Sequence, residues 1–483
     1  METGEDKLDA KRCNLVPAVQ FGLWFFAFML LESFVNSSVA ALLGASVVNT
    51  AYSVGIFCTA TGLLAFGLVH AKRPSWCTEF VLSAAVICSV ATMGVAFAQH
   101  AALLAFFSCM ALLACGYVGG LVHLEVAREF GEEPVCGRVL GAATGAVVCV
   151  QFLVQNLTQG PVPTITCILV SLAALVVLDA YDTSQGLSPY KEAHTPVRIW
   201  PQDPADRRRH GIYLVCAAAI LTAIFSLNDA AVVALDASGS LQLFSGVRLF
   251  YALGLVVAGC IFDLGPRLSF TFSTIAVQLL AVLVPYFLGT PEWYNLNMAL
   301  FYFYGGFYVM FVTAEFVAFS GQMDSHALWA GLGRTTRSFV AALSVIPISL
   351  LYASLGVVLL VAAGVALNMA LLAVCVADAL LLARYRLPEL QTSETEAPVS
   401  SIVDLDEQDI ARYAQSIGLT DREREVLILM VTTEDENQKM ADDLGISRRT
   451  LQRHIAQVYE KAHVQSRIGL YQSVMGCAAT RRN

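Results

Sequence analysis

The sequence predicts an all-α protein built from a polytopic membrane bundle and a small helical domain at the carboxyl end. Three observations support this fold class. Hydrophobic residues make up 57% of the 483 residues and charged residues only 14%, whereas about a quarter of the residues in a soluble protein are charged. Apolar runs long enough to cross a bilayer recur up to residue 383. Residues 405–483 are instead polar and have helical periodicity.

The apolar runs predict twelve transmembrane helices in two sets of six. Their approximate ranges are 15–38, 48–69, 77–98, 101–125, 139–158, 163–181, 212–235, 245–262, 268–288, 297–319, 335–354 and 357–383. With the amino terminus inside, every Lys and Arg before residue 387 except Arg248 falls in an inner segment, Arg334 and Arg337 included. Because inner loops accumulate these residues, we expect both termini in the cytoplasm and the protein in the inner (plasma) membrane.

A loop after the eighth span carries a family resemblance. It reads Gly259-Cys260-Ile261-Phe262-Asp263-Leu264-Gly265-Pro266-Arg267. This is similar to the Gly-x-x-x-Asp-Arg-x-Gly-Arg loop of the major facilitator superfamily, although it is one residue short and lacks the first Arg. The equivalent loop after the second span, 67–73, has no Asp. The resemblance, together with two six-helix halves joined by an inner loop, implies a central cavity lined by the first, fourth, seventh and tenth spans.

Polar and ionisable residues inside the apolar runs predict a ligand pocket, because such residues are costly in lipid. The candidates are Trp24, Glu32, Asn36, Asn228, Asp229, Arg248, Tyr304, Tyr308 and Glu315. Aromatic rings with a few carboxylates and amides would orient a small molecule, for example a cationic or phenolic one. The alternative is that the carboxylates are paired within the bundle and the aromatic residues belong to its core.

Neither a metal site nor a cofactor is expected. Most of the thirteen cysteines stand singly in apolar runs without CxxC or Cys/His spacing, where a Cys is usually a small packing residue. We also expect no enzymatic activity, because the chain has no nucleotide-binding Gly-rich loop, no HExxH motif and no plausible nucleophile elbow.

The predicted domains are a membrane domain over 1–387, a flexible acidic linker over 388–404 and a helical domain over 405–483. The linker is rich in Ser, Thr, Glu and Pro and has no apolar period. After a short amphipathic helix, Thr420 and Glu423 predict a capping box at the start of the next helix. A second helix over about 437–444 should end at Gly445 in a left-handed cap, and Ser447 should cap a third helix that reaches about Lys461. A fourth is predicted over 467–477.

A helix, a Gly-containing turn and a second helix at this spacing predict a helix-turn-helix unit, whose second helix enters the major groove of DNA. The motif Leu-Thr-x-Arg-Glu-x-Glu-Val-Leu at 419–427, followed by Leu-Gly-Ile-Ser-x-x-Thr-Leu-x-x-His at 444–454, resembles the LuxR-type DNA-binding domain. The resemblance implies base-reading residues at Gln452, Arg453 and Ala456, and backbone-contacting residues at Arg448, Thr450 and His454. Arg449 is a further basic residue of this face.

Two details of the resemblance bear on DNA recognition. Gln452 stands where the family usually has Lys, which favours adenine over guanine or phosphate as its partner. The fourth helix of the family often forms a dimer contact, which implies a dimer face at Leu470, Tyr471 and Val474. A role of these three residues in the domain core is the alternative.

We therefore expect a bacterial, one-component transcriptional regulator in which the membrane domain senses a small molecule and controls DNA binding. Its expected partners are double-stranded DNA, the lipid bilayer, an unknown small-molecule ligand and a second copy of the chain on DNA. One alternative is a major-facilitator-type transporter with a regulatory tail. Another is a terminal domain that binds a protein rather than DNA.

Overall fold

The structure is a computed structural model and describes residues 14–158, 160–184, 200–237, 246–264, 267–281, 293–395, 407–432 and 437–462, with 464, 470, 473 and 474. The chain divides into two compact units, Met1–Pro388 and Glu389–Asn483. We call them the membrane unit and the tail unit. All regular structure in the described residues is helical, which confirms the predicted all-α class.

The membrane unit is a bundle of apolar helices. They are α1 (Val16–Leu43), α2 (Val48–Lys72), α3 (Cys77–Phe97), α4 (Ala101–Phe130), α5 (Cys136–Leu157), α6 (Pro161–Ser184), α7 (Pro204–Ala237), α8 (Leu249–Leu264), α9 (Arg267–Ala281), α10 (Tyr294–Ser320) and α11 (His326–Thr395). A π-helical turn, Phe311–Glu315, interrupts α10. Such turns are rare and frequently occur at functional sites.

The count of membrane spans differs from the prediction in one region. Within the described residues, ten helical segments are long and apolar enough to cross a membrane, and Phe270–Leu280 is a shorter apolar helix. These segments correspond to eleven of the twelve predicted spans. The exception is 335–354, which lies in α11 without a break before the last span.

The predicted turn near Gly356 is therefore absent. A lone Gly in an apolar stretch has no Pro, Asn or Asp beside it to favour a turn. At 70 residues, α11 extends about 105 Å, whereas a hydrocarbon core is about 30 Å thick. The even number of crossings, and with it the cytoplasmic side of the tail, stays a prediction.

The predicted linker also begins within α11. This helix ends only at Thr395, so 388–395 is helical rather than irregular. Leu390, Glu389 and Gln391 are all good helix formers, which accounts for the extension. The rest of the predicted linker, 396–404, lies outside the described residues.

The two predicted sets of helices meet where α5 packs on α8. A Cβ built on Gly137 would lie 2.4 Å from the Gly259 carbonyl oxygen, and one on Gly259 would lie 2.3 Å from that of Gly137. Any side chain larger than that of Gly would therefore separate the helices. Small residues at helix crossings allow this close approach in membrane bundles.

Asp263, the acidic residue of the family-like loop, closes the same contact. Its carboxylate accepts hydrogen bonds from the backbone N–H groups of Gly137 (2.8 Å) and Arg138 (2.7 Å) and from Arg138 Nε (3.1 Å). The Asp263 side chain is fully buried. A carboxylate on the first N–H groups of α5 satisfies donors that have no partner inside the helix, and so ties α8 to α5.

The tail unit has its own apolar core. Its helices are α12 (Glu407–Ser416), α13 (Asp421–Thr432), α14 (Asn437–Asp443) and α15 (Arg448–Lys461). Its buried residues are Ile410, Tyr413, Ala414, Val426, Leu427, Met430, Met440, Ala441, Leu451, Val458, Leu470 and Val474. Most of the predicted fourth helix, 467–477, lies outside the described residues.

Candidate DNA-binding surface and membrane cavity

The turn between α14 and α15 has the geometry predicted from Gly445 and Ser447. Gly445 has a φ of +63°, and the N–H groups of Gly445 and Ile446 bond to the carbonyls of Asp442 (3.1 Å) and Ala441 (3.0 Å). This is a left-handed helix end with both of its usual hydrogen bonds. Ser447 Oγ then accepts from the Thr450 N–H at 3.2 Å and caps α15. Both predicted caps are confirmed.

A buried carboxylate anchors α13 to the end of α15. Glu423 accepts from the Thr420 N–H (2.7 Å) and from Lys461 Nζ (2.6 Å), while its own N–H donates to Thr420 Oγ1 (3.4 Å). The predicted capping box is confirmed. The Lys461 ammonium and then the Thr420 amide hold the pKa of the Glu423 carboxyl below its ordinary value of 4.5.

Lys461 therefore has a structural role that the sequence did not reveal. Its Nζ also donates to the Gly418 carbonyl at 3.1 Å. The sequence predicted Lys461 only as the approximate end of a helix. Because the ammonium is held by Glu423 and Gly418, we assign it to the fold of the tail unit.

One face of α15 is free for a partner. Leu451 and Val458 are fully buried in the core, whereas Gln452, Arg453 and Ala456 on the other side are exposed. Arg448 and Thr450 in the first turn are also exposed, and His454 is partly buried. The side chain of Arg449 lies outside the described residues. The three predicted base-reading residues thus share one accessible surface directly after the capped turn.

The predicted dimer face is only partly described. Leu470 and Val474 are buried in the core of the tail unit, which is the alternative role that the sequence left open. Tyr471 lies outside the described residues. A dimer contact through these residues stays a prediction.

The membrane unit contains a cavity of about 200 Å³. The described residues that line it are Phe25, Phe28, Met29, Glu32, Tyr52, Phe225, Asp229, Arg248, Tyr251, Phe301, Tyr302, Gly305, Arg334 and Arg337. They come from α1, α2, α7, α8, α10 and α11, so the cavity is central to the bundle. Tyr52 and Arg248 stand near the starts of α2 and α8.

Three of the predicted pocket residues meet in this cavity, namely Glu32, Asp229 and Arg248. Arg248 donates to Gln151 Oε1 at 3.1 Å. Asp229 is only partly buried. The sequence therefore identified the acidic part of the cavity.

Three other predicted pocket residues, Asn228, Tyr304 and Tyr308, pack behind the residues that line the cavity. Asn228 Nδ2 donates to the Tyr304 hydroxyl at 2.8 Å, and the Tyr308 hydroxyl bonds to Thr222 Oγ1 at 2.9 Å. Phe225, a lining residue, stacks on Tyr308 with ring centroids 4.9 Å apart. These polar groups fix the position of the aromatic wall.

The last three predicted pocket residues, Trp24, Glu315 and Asn36, do not line the cavity. Trp24 is buried, donates to the Cys115 carbonyl at 3.0 Å and stacks on the lining residue Phe28. Glu315 is fully buried in the π-helical turn of α10. Asn36 lies one turn beyond Glu32 and is partly buried.

Arg334 and Arg337 are the lining residues that the sequence interpretation placed wrongly. They were assigned to an inner segment, but both lie inside the bundle at the cavity, and Arg334 is only 3% exposed. Their separation of three residues puts them on one face of α11. An i, i+3 pair of Arg beside a continuing apolar helix is the signal that could have indicated them.

Comparison with known proteins identifies the class of each unit. The family model described as bacterial regulatory proteins, luxR family (GerE), matches residues 418–474. This segment is therefore a LuxR-type helix-turn-helix domain, as its motifs predicted. Such a domain indicates a DNA-binding regulator. The comparison with curated proteins finds no match.

Solved structures resemble the membrane unit. A bacterial homologue of the iron transporter ferroportin in its outward-facing state is similar with a TM-score of 0.52 and 14% identity, over 76% of this chain and 99% of the other. The same homologue with soaked iron gives a TM-score of 0.54 at the same identity and coverage. At this identity the likeness concerns the fold alone. The chain thus combines a multi-pass membrane unit, similar in fold to these structures, with a LuxR-type tail.

Proposed function

We propose that this protein is a one-component transcriptional regulator whose membrane unit binds a small molecule and thereby controls DNA binding by the tail unit. The observation that carries the proposal is the exposed face of α15, with Gln452 and Arg453 directly after a capped turn in the segment that matches the LuxR family. In a helix-turn-helix unit this part of the second helix reads base edges.

The cavity supports the sensing half of the proposal. Carboxylates, guanidinium groups and aromatic rings converge on a space of about 200 Å³ inside the bundle. Ionisable groups inside a transmembrane bundle are costly unless they pair with one another or with a ligand. A ligand acts on the tail only through different affinities for two conformations of the protein. The proposal assigns no catalytic step to the chain.

Two further parts of the proposal concern geometry. The tail must lie in the cytoplasm to reach the chromosome, which the positive charge of the predicted inner loops favours. We also propose a homodimer on DNA, because helix-turn-helix proteins commonly bind two half-sites one helical turn apart.

The test uses residues 400–483 as a soluble fragment, since the tail unit has its own core. Binding to the promoter regions of its own and neighbouring genes should weaken steeply with salt. Gln452→Ala and Arg453→Ala should each weaken specific binding by about 1–3 kcal/mol. Arg422→Ala is the matched control, because Arg422 is exposed on α13 and paired with Glu425. Equal binding by all four proteins would refute the proposed surface.

A transporter with a regulatory tail is the second candidate. The likeness of the fold to an iron transporter homologue and the carboxylates Glu32 and Asp229 at the cavity favour it, because carboxylates can carry protons across a bilayer. Accumulation of a ligand in vesicles that depends on a proton gradient, and is lost in Glu32→Gln, would establish transport.

A further inference from the structure

Arg334 is a buried cation with hydrogen-bond donors that no described residue satisfies. Its side chain lies in the wall of the cavity and is 3% exposed. Among the described residues, its Nε and Nη2 atoms have no hydrogen-bond partner. The guanidinium lies over the Phe25 ring at 4.8 Å from the centroid. Arg keeps its charge in proteins, and buried donors of a charged group are unfavourable when they lack hydrogen-bond acceptors.

The other two cations at the cavity are engaged by protein groups. Arg248 donates to Gln151 and lies over the Tyr302 ring at 5.8 Å. Arg337 interacts electrostatically with both carboxylates of the cavity, Glu32 and Asp229. Among the described residues, Arg337 Nε also has no hydrogen-bond partner, but Arg334 has two such donors, Nε and Nη2. Arg334 is therefore the guanidinium that can offer a pair of donors to a bound molecule.

The lining residues carry a net positive charge, which also favours an anionic ligand. Three guanidinium groups face two carboxylates. Even with both Glu32 and Asp229 ionised, the described wall keeps a surplus positive charge. A cationic ligand would add to that surplus, whereas an anion would neutralise it. The first expectation of a cationic or phenolic ligand included neither Arg334 nor Arg337.

Aromatic side chains form the rest of the wall. Phe25 and Phe28 of α1 face a group from the other helices, namely Phe225, Tyr251, Phe301 and Tyr302. Phe225 and Phe301 lie in contact, with ring centroids 5.1 Å apart. Aromatic walls of this kind favour flat, apolar ligand groups.

We propose that the cavity binds a small organic anion with a planar apolar body, and that Arg334 pairs with its carboxylate. The planar fork of Arg matches a carboxylate with two parallel hydrogen bonds, and the free Nε and Nη2 atoms are adjacent on one edge of that fork. This inference rests on the proposed function, because it names the class of ligand that the sensing cavity takes.

The test compares three probes that share a phenyl ring and a short chain but differ in charge: 3-phenylpropionate, 3-phenylpropionamide and phenethylamine. The melting temperature of the full-length protein in lipid nanodiscs is measured with each at millimolar concentration, since a ligand that binds the folded state raises it. The carboxylate should stabilise the protein most and the amine least. Stabilisation by the amine equal to that by the carboxylate, or by none of the three, overturns the proposal.

Variants at Arg334 separate recognition from folding. Arg334→Met should weaken carboxylate binding by about tenfold or more and remove the preference among the probes. Without a probe it should melt no lower than the unchanged protein, because it removes a buried charge with unsatisfied donors. Arg334→Lys keeps the charge and should keep part of the preference. Arg128→Gln, at an exposed pair with Glu125, should change nothing.

Two outcomes would contradict the role of Arg334: unchanged carboxylate binding in Arg334→Met, or a large fall of its melting temperature, which would indicate a structural partner. These measurements do not involve DNA. If the tail fragment fails to bind DNA while the carboxylate preference holds, the proposed regulation is refuted but the anion site stands. If DNA binding holds and the preference fails, only the ligand class is refuted.

Discussion

Glu423 is the residue whose removal should most clearly weaken the tail unit through a polar contact. Its carboxylate is 4% exposed and joins the start of α13 to the end of α15 through Thr420 and Lys461. In Glu423→Ala the Thr420 N–H loses its acceptor and the Lys461 ammonium loses its counter-charge. The change creates no steric conflict, so the loss of these contacts determines the result.

The expected magnitude follows from the two contacts. Loss of a cap costs about 1 kcal/mol, and a hydrogen bond to a charged group contributes about 1.5–3 kcal/mol. The two share one carboxylate and do not add fully, so we expect about 2–3 kcal/mol for Glu423→Ala. Glu423→Gln keeps an acceptor for Thr420 and should lose about half of that. For a domain of this size each kcal/mol lowers the melting temperature by about 4–8 °C.

The measurement is urea and thermal unfolding of the 400–483 fragment, followed by circular dichroism. Glu425→Ala is the matched control, because its carboxylate pairs with Arg422 at the surface, where the Glu425 and Arg422 side chains are 44% and 63% exposed. An exposed pair of this kind contributes about 0–0.5 kcal/mol. Equal destabilisation by the two substitutions would refute the reasoning that the buried link holds α13 to α15.

Three further outcomes are expected. The pKa of Glu423 in the folded tail unit lies below its ordinary value of 4.5. The stabilisation that the carboxylate provides is therefore fully present above pH 4.5 and is lost as the pH falls through the folded pKa. The unchanged fragment and Glu423→Gln should converge in stability under acid. Asp263→Asn should destabilise the membrane unit by about 1–2 kcal/mol by weakening the cap on α5, measured as melting in detergent, with Arg209→Gln, whose side chain is 62% exposed, unchanged. A reporter that is active only in the cytoplasm should be active when it is fused after residue 483; a tail reached from outside would end the DNA-binding proposal.

The tail unit could be predicted almost helix by helix because its signals are local. Thr420 with Glu423, Gly445 and Ser447 each act on backbone groups within a few residues, so sequence spacing alone defines their geometry. The role of Lys461 could not be predicted in this way. Its carboxylate partner lies 38 residues away, and only the packing of α13 on α15 brings the two together.

The cavity could be predicted only in part, for a related reason. A polar residue deep in an apolar run, such as Glu32 or Asp229, is recognisable because lipid offers it no partner. Arg334 lies among Gly and Thr near the beginning of α11, where an Arg commonly reaches back to the membrane surface. Whether the side chain points to the headgroups or into the bundle depends on helix packing, which the sequence does not encode locally.

The position of Arg334 also suggests how a ligand could act at a distance. Arg334 and Arg337 stand on α11, and the same helix continues in sequence to Thr395, into the tail unit. A bound anion lowers the free energy of a conformation in which the donors of Arg334 face the cavity. It does not change the free energy of a conformation in which they face elsewhere. The shift in the equilibrium equals that difference in affinity. A ligand that binds both conformations equally would occupy the cavity without signalling.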